Sequence, residues 1–274
     1  LGIAGMGLIG TSIALRATAL GWRVTGWDAD PGHVHLARER GALEHAAGSL
    51  REAVADADVV VLAAPLDATL AQLAELAGEP PRAELVIDVA SLQVPVSRAG
   101  ATLETFVATH PIAGSERSGP AAGDPDLFGG RTWTYDAGAR VDARARAVAF
   151  IAAMGARPLG IANDEHDRLV ALTSHLPQLV SVALGVALAE RIDDPHARDV
   201  CGTGMVSLLR LARSSWRMWE PVFALNAVSI AQEVRRMVGI LSEAADALEN
   251  GSPEALARDF DVAAAAVARL TSGP

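Results

Sequence analysis

Three glycines, Gly5, Gly7 and Gly10, form a G-x-G-x-x-G turn between an apolar run, Leu1–Ala4, and an amphipathic segment, Leu8–Leu20. A strand, a glycine turn and a helix in that order leave few folds open. Gly5 permits the tight turn, Gly7 removes a side chain where a pyrophosphate must approach the backbone, and Gly10 lets the helix pack closely on its strand. The N–H groups at the helix start, around Leu8 and Ile9, then face phosphates. The turn predicts a dinucleotide-binding unit of the Rossmann type.

The chain that follows agrees with this. Short apolar runs at Arg23–Trp27, Val59–Ala63, Leu85–Val89 and up to His110 alternate with helical patterns at Pro31–Arg40 and Thr69–Ala77. Such alternation predicts a parallel, doubly wound sheet. Thr132–Asp136 and Arg157–Ile161 read as two more strands flanking a helix, Val141–Met154. After Asn163 the strand pattern stops. Asp164–Arg191, Asp199–Trp219, Val222–Asn250 and Pro253–Leu270 all read as helices. Two domains are therefore expected, residues 1–162 α/β and residues 163–274 all-helical, with the boundary near Ala162–Asn163.

Asp28 ends the second strand, close to the position about 20 residues beyond the glycines where a carboxylate accepts the ribose hydroxyls and repels a 2′-phosphate. No Arg immediately follows it, so the expected cofactor is NAD rather than NADP. Ala64 and Pro65 close the third buried run and are expected to cover the dinucleotide.

The net charge of −10 and pI near 5.1 argue against nucleic acid or an anionic membrane as a partner. Every cationic side chain is Arg, which excludes a Lys base or Schiff base. The single cysteine, Cys201, allows no internal disulfide, and no Cys/His cluster suggests a metal. No membrane span and no signal peptide are expected, which points to the cytoplasm.

Three clusters carry groups suited to chemistry: Asp88–Ser91, the segment from Thr109 through His110 to Glu116, and a helical set with His175 and Arg210. Helical spacing places Ser207, Arg210 and Ser214 on one face. The leucines around Arg210 predict a buried guanidinium that needs an anionic partner. The His166–Asp167 pair reads as helix-start hydrogen bonding.

These stretches together resemble the prephenate/arogenate dehydrogenase family of tyrosine biosynthesis. The resemblance runs through GMGLIGTS (5–12), DVVVLAAP (58–65), DVAS (88–91), THPIAGSERSGP (109–120), LFGGRTW (127–133), DEHDRLVALTSHLPQ (164–178) and 202–219. It implies NAD-dependent oxidation and decarboxylation of prephenate or arogenate by a homodimer joined through the helical domain. His110 is implied as the catalytic base and Ser91 as the residue that orients it. Arg210 is implied as the substrate-carboxylate ligand and His175 as a second substrate contact. The resemblance also implies Glu116 at the pocket entrance, and Ser115 lies in the same segment. Gln93 stands near where many relatives carry Lys. It is neutral and compatible with the keto acid of prephenate or the amino acid of arogenate.

Overall fold

The computed structural model describes residues 1–114 and 117–272. Ser115 and Glu116 lie outside the described residues. The chain divides into two compact units, Leu1–Ala227 and Val228–Pro274.

The first unit opens with β1 (Gly2–Ala4), α1 (Leu8–Ala19), β2 (Thr25–Trp27), α2 (Pro31–Glu39), β3 (His45–Ala46), α3 (Leu50–Val54), β4 (Val59–Leu62), α4 (Leu66–Gly78), β5 (Leu85–Asp88), α5 (Gln93–Ala99) and β6 (Phe106–Val107). The strands form one parallel sheet in the order β3-β2-β1-β4-β5-β6. Apolar runs at Val60–Leu62 and Leu85–Ile87 are buried on both faces, as a parallel sheet covered by helices demands. The order reverses between β1 and β4, and ligands of such sheets bind at this switch point, outside the carboxyl ends of the strands.

The expected single sheet is corrected after β6. β7 (Thr109–Pro111), β8 (Thr132–Asp136) and β9 (Arg157–Ile161) form a separate sheet, with β7 antiparallel and β9 parallel to β8. α6 (Val141–Ala153) lies between β8 and β9 in sequence. The cause sits at Thr109. Its N–H donates to the Asp88 carboxylate at 2.9 Å, and its hydroxyl donates to the Asp88 carbonyl. A side chain and a single carbonyl thus replace the strand ladder, and the chain leaves the first sheet.

α7 (Asn163–Val170) runs through a π-helical turn, Ala171–His175, into α8 (Leu176–Ala189). Pro177 explains the irregularity, because it lacks the N–H that would meet the carbonyl four residues back. The continuous segment 163–189 is long and apolar enough, by length and composition, to cross a membrane. This corrects the sequence expectation, which overlooked the absence of Asp, Glu and Arg from 169–189. Its polar side chains are used inside the protein. Gln178 donates to the Leu211 carbonyl at 2.9 Å, and Ser181 donates to the Leu208 carbonyl at 2.7 Å and accepts from Ala212 N–H at 2.9 Å.

The long helices read over 199–219 and 222–250 break differently. α9 (Pro195–Asp199), α10 (Thr203–Leu208), a short 3-10 turn (Leu211–Arg213) and α11 (Trp216–Leu225) come first. Pro221 is inside α11, and the break falls at Asn226 instead. The second unit carries most of α12 (Ala227–Glu249) and all of α13 (Ala257–Thr271). Val228, Val238, Leu241, Leu248, Phe260 and Leu270 there are exposed apolar side chains.

Candidate active site

The glycine turn lies at the switch point. Gly5 has φ +103°, and a Cβ there would stand 2.5 Å from the Ala63 carbonyl carbon. A Cβ on Gly10 would come within 1.9 Å of the Gly5 oxygen. Gly7 is different, because no atom lies within 4 Å of its Cβ position. Two glycines are therefore required by the protein itself, and the third keeps an open face. α1 begins at Leu8 with no side-chain cap and no acidic residue in its first turn, so the N–H groups of Leu8, Ile9 and Gly10 offer a positive end to an anion. The cradle fits a dinucleotide pyrophosphate.

Asp28 serves the turn directly. Its Oδ2 accepts the Met6 N–H at 2.6 Å and its Oδ1 accepts the Asp30 N–H at 2.8 Å. Oδ2 also faces His33 Nδ1 at 3.4 Å, while Oδ1 keeps a second lone pair for a ribose hydroxyl. Ala64 and Pro65 follow β4 at the same edge. Thr69 ties them down, donating its hydroxyl to the Ala64 carbonyl at 3.0 Å and its N–H to the Pro65 carbonyl at 2.8 Å.

Asp88 ends β5 fully buried. Burial pushes its carboxyl up to about 7, against the N–H bonds from Thr109 and Ala90 that favour the ionised form. It holds the residues just before Ser91 and His110, since Ala90 N–H donates to its Oδ2 at 2.8 Å and Thr109 N–H to its Oδ1 at 2.9 Å. The Ser91 hydroxyl has no hydrogen-bond partner among the described residues.

His110 sits in β7 opposite Thr134, whose hydroxyl donates to the His110 carbonyl at 3.2 Å. Its Nδ1 lies 3.0 Å from His166 Nε2, so the ring partner is His166 and not Ser91. The two rings meet edge to face at 5.2 Å. His166 Nδ1 lies 2.8 Å from Asp167 Oδ1. Asp167 also accepts the N–H groups of Gln93 at 2.8 Å and Val94 at 3.0 Å. Burial drives the His110 pKa down to about 3, with His166 and His175 adding to the effect. The ring is neutral near pH 7.

His175 ends the π-helical turn and is buried. Burial lowers its pKa to about 4, although the Asp167 charge opposes this. Its Nδ1 lies 3.4 Å from the Asn226 amide nitrogen, which donates to the Asp167 carbonyl at 2.8 Å. Trp219 meets His175 edge to face at 5.9 Å.

Gln93 is fully buried at the start of α5, and its amide donates to Thr134 at 2.9 Å. Its Oε1 has no partner among the described residues.

Arg210 needs correction. The helix ends at Leu208 and resumes as a 3-10 turn at Leu211, so Ser207, Arg210 and Ser214 do not share one continuous helical face. Arg210 and Leu208 are exposed, and no ion pair holds the guanidinium among the described residues. The flanking leucines gave a false burial signal because the segment is a turn pinned by Gln178 and Ser181, not a core helix.

Four residues of the site were missed or undervalued in sequence. Asn226 and Thr134 carried no motif. His166–Asp167 was seen but read as helix-start bonding. A usable signal existed, because His166, Asp167 and Val170 fall on one face of α7 and all three are buried. Two polar groups on an apolar face need partners.

Comparison with known proteins decides the family. The family model "Prephenate dehydrogenase, nucleotide-binding domain" matches residues 11–157, and "Prephenate dehydrogenase, dimerization domain" matches residues 162–262. The chain belongs to the prephenate dehydrogenase family. It is 31% identical over 242 residues to a probable prephenate dehydrogenase, NovF, of Streptomyces niveus, covering 86% of this chain and 65% of that one. It is 30% identical over 272 residues to the prephenate dehydrogenase of Bacillus subtilis, covering 95% of this chain and 73% of that protein. The fold matches the crystal structure of prephenate dehydrogenase from A. aeolicus in complex with hydroxyphenyl propionate and NAD+, with a TM-score of 0.88, 20% identity, and coverage of 98% of this chain and 96% of that one. The Rossmann-type unit followed by a helical region is thus the family's arrangement, and the chain is an oxidoreductase of that family.

Proposed function

We propose that this chain oxidises prephenate with NAD, releasing carbon dioxide and forming 4-hydroxyphenylpyruvate in tyrosine biosynthesis. The observation that carries this reading is His110. It is a neutral imidazole, next to Thr109, which is bonded to Asp88 at the carboxyl end of β5, with one ring nitrogen held and the other left for substrate.

His110 takes the proton of the ring hydroxyl as the carbonyl forms. When bound, the nicotinamide supplies the acceptor for the hydride leaving the carbinol carbon. The ring carboxylate departs as carbon dioxide, its bonding electrons complete the aromatic ring, and the step is irreversible. Arg210 pairs with a substrate carboxylate, since its guanidinium has no ion-pair partner among the described residues and its turn is held by Gln178 and Ser181. His175 contacts the substrate from the helical side. Ser91, whose hydroxyl is unengaged, lies after β5 for a bond to substrate or to His110. Ser115 and Glu116 are carried as substrate-binding residues by the family resemblance alone, and Gln93 offers its Oε1, unpaired among the described residues, toward the substrate side chain. Gly5, Gly7, Leu8, Ile9, Gly10, Ala64 and Pro65 hold the dinucleotide, and Asp28 selects NAD.

The reading takes 163–274 as a helical domain that forms a homodimer, supported by the dimerization-domain match and by the exposed apolar residues of α12 and α13. A lone cysteine and a nicotinamide-dependent reaction suit the cytoplasm. The deciding experiment measures nicotinamide reduction with prephenate and with arogenate, each with NAD and NADP. Prephenate with NAD should be fastest. A preference for arogenate would move the substrate assignment, a preference for NADP would overturn the role of Asp28, and no activity with either acid would overturn the reading.

A further inference from the structure

We propose that His166 and Asp167 are positioning residues that fix the tautomer of His110, keeping its proton on Nδ1 and its lone pair on Nε2. The proposal rests on the dehydrogenase reading above and adds two residues to it.

The argument is one of donors and acceptors. The Asp167 carboxylate accepts two backbone N–H groups, from Gln93 and Val94. An ionised carboxylate can only accept, so the His166 nitrogen 2.8 Å from Oδ1 must carry a hydrogen. That places the proton of a neutral His166 on Nδ1 and leaves Nε2 as an acceptor. Nε2 lies 3.0 Å from His110 Nδ1, so His110 must donate there. A neutral His110 then has a single acceptor nitrogen, Nε2, pointing away from the chain Asp167–His166–His110. The opposite tautomer would set two lone pairs against each other across 3.0 Å and would present an N–H to the substrate hydroxyl. Such a ring could not take the proton.

Asp167 also holds a second element. Gln93 and Val94 open α5 two and three residues after Ser91, so one carboxylate bonds both His166 and the start of that helix. The Asp167 main-chain carbonyl accepts Asn226, whose amide nitrogen reaches His175 at 3.4 Å. α7 thus joins three segments of the site through a buried pair that sequence reading took for local capping.

Two measurements test this. Nitrogen-15 spectra of the histidines in the wild-type chain, with His110 assigned by loss of its signals in His110→Asn, should show His110 protonated at Nδ1 and bare at Nε2. A proton on Nε2 overturns the proposal whatever the activity proves to be. Kinetics then compare His166→Phe with His166→Gln, because the Gln carbonyl keeps an acceptor for His110 Nδ1 and Phe does not. His166→Phe should lower kcat by ~100-fold or more, the range expected for general-base catalysis, with KM for prephenate changed by less than about threefold. His166→Gln should recover to within about tenfold of wild type. A purely structural role would leave Phe no worse than Gln, and that result, or a His166→Phe kcat within about threefold of wild type, overturns the proposal. A wild-type chain inactive on both acids would count against the dehydrogenase reading alone, and the spectra would still decide the tautomer.

Discussion

The dinucleotide cradle and the proposed catalytic centre are built in opposite ways. The cradle is nearly all backbone and nearly all local. Gly5 to Gly10 supply it, and Asp28 pins it through the Met6 N–H. The proposed centre is made of side chains drawn from distant segments and steadied by backbone groups at residues 93, 94 and 167. His110 comes from β7, His166 and Asp167 from α7, His175 from the π-helical turn and Asn226 from the break after α11. A cradle of this kind tolerates no added atoms but asks for no particular side chain at most positions. A centre of this kind tolerates small changes of shape but not the loss of a donor or acceptor.

That difference predicts how each region breaks. The largest effect belongs to the centre. His110→Asn should lower kcat by ~1000-fold or more while the melting temperature stays close to wild type, read by steady-state kinetics and calorimetry. The cradle should fail by stability. Gly10→Ala forces a Cβ to within 1.9 Å of the Gly5 oxygen and should cost about 3 kcal/mol, seen as an earlier urea midpoint. Gly7→Ala sharpens the contrast, because its Cβ meets nothing within 4 Å. It should fold as wild type and yet weaken NAD by ~10-fold or more in calorimetric titration. Equal loss of stability in the two glycine variants would dissolve the distinction between packing and ligand space.

Asn226→Ala should cost about 1 kcal/mol for the lost buried hydrogen bond, since the Asp167 carbonyl keeps the Ala171 N–H, and it should raise KM through His175. The smallest effect is one of pH. His110 and His175 sit at about 3 and about 4 in the fold against about 6.5 when unfolded. Between pH 4 and 6 unfolding therefore takes up protons on both, and this stability, complete above 6.5, is lost as pH falls. Asp88 runs the other way. Its pKa of about 7 in the fold means that its contribution is present at low pH and is lost as pH rises toward 7. One net proton remains, so stability should rise by ~1.4 kcal/mol per pH unit across the window. Asp88→Asn removes the opposing term and should roughly double that slope in urea titrations at stepped pH.

Legibility follows the same division. The glycine turn, Asp28 and the buried runs at Val59 and Leu85 were readable because each rests on local periodicity or on a short spacing. The second sheet was not, because it depends on Asp88 capturing Thr109 across 21 positions. The Asp167 pair was visible as residues but not as a hub, since its partners at 93, 110 and 226 are close only once folded. Arg210 misled for a related reason. Leucines on both sides suggested burial, but Gln178 and Ser181 bind its carbonyl neighbours and hold the segment as an exposed turn. The 21-residue stretch without Asp, Glu or Arg shows the reverse hazard, because its polar His175, Gln178 and Ser181 decide its surroundings more than its mean hydropathy does.

The central claim is that His110 takes the hydroxyl proton in a step that couples hydride loss to decarboxylation. Prephenate labelled with carbon-13 in the ring carboxylate tests it most directly, with NADH and labelled carbon dioxide followed together. The account predicts one NADH for each carbon dioxide in the wild type and an equal fall in both for His110→Asn. Carbon dioxide released without NADH, or a rate unchanged in His110→Asn, would contradict it.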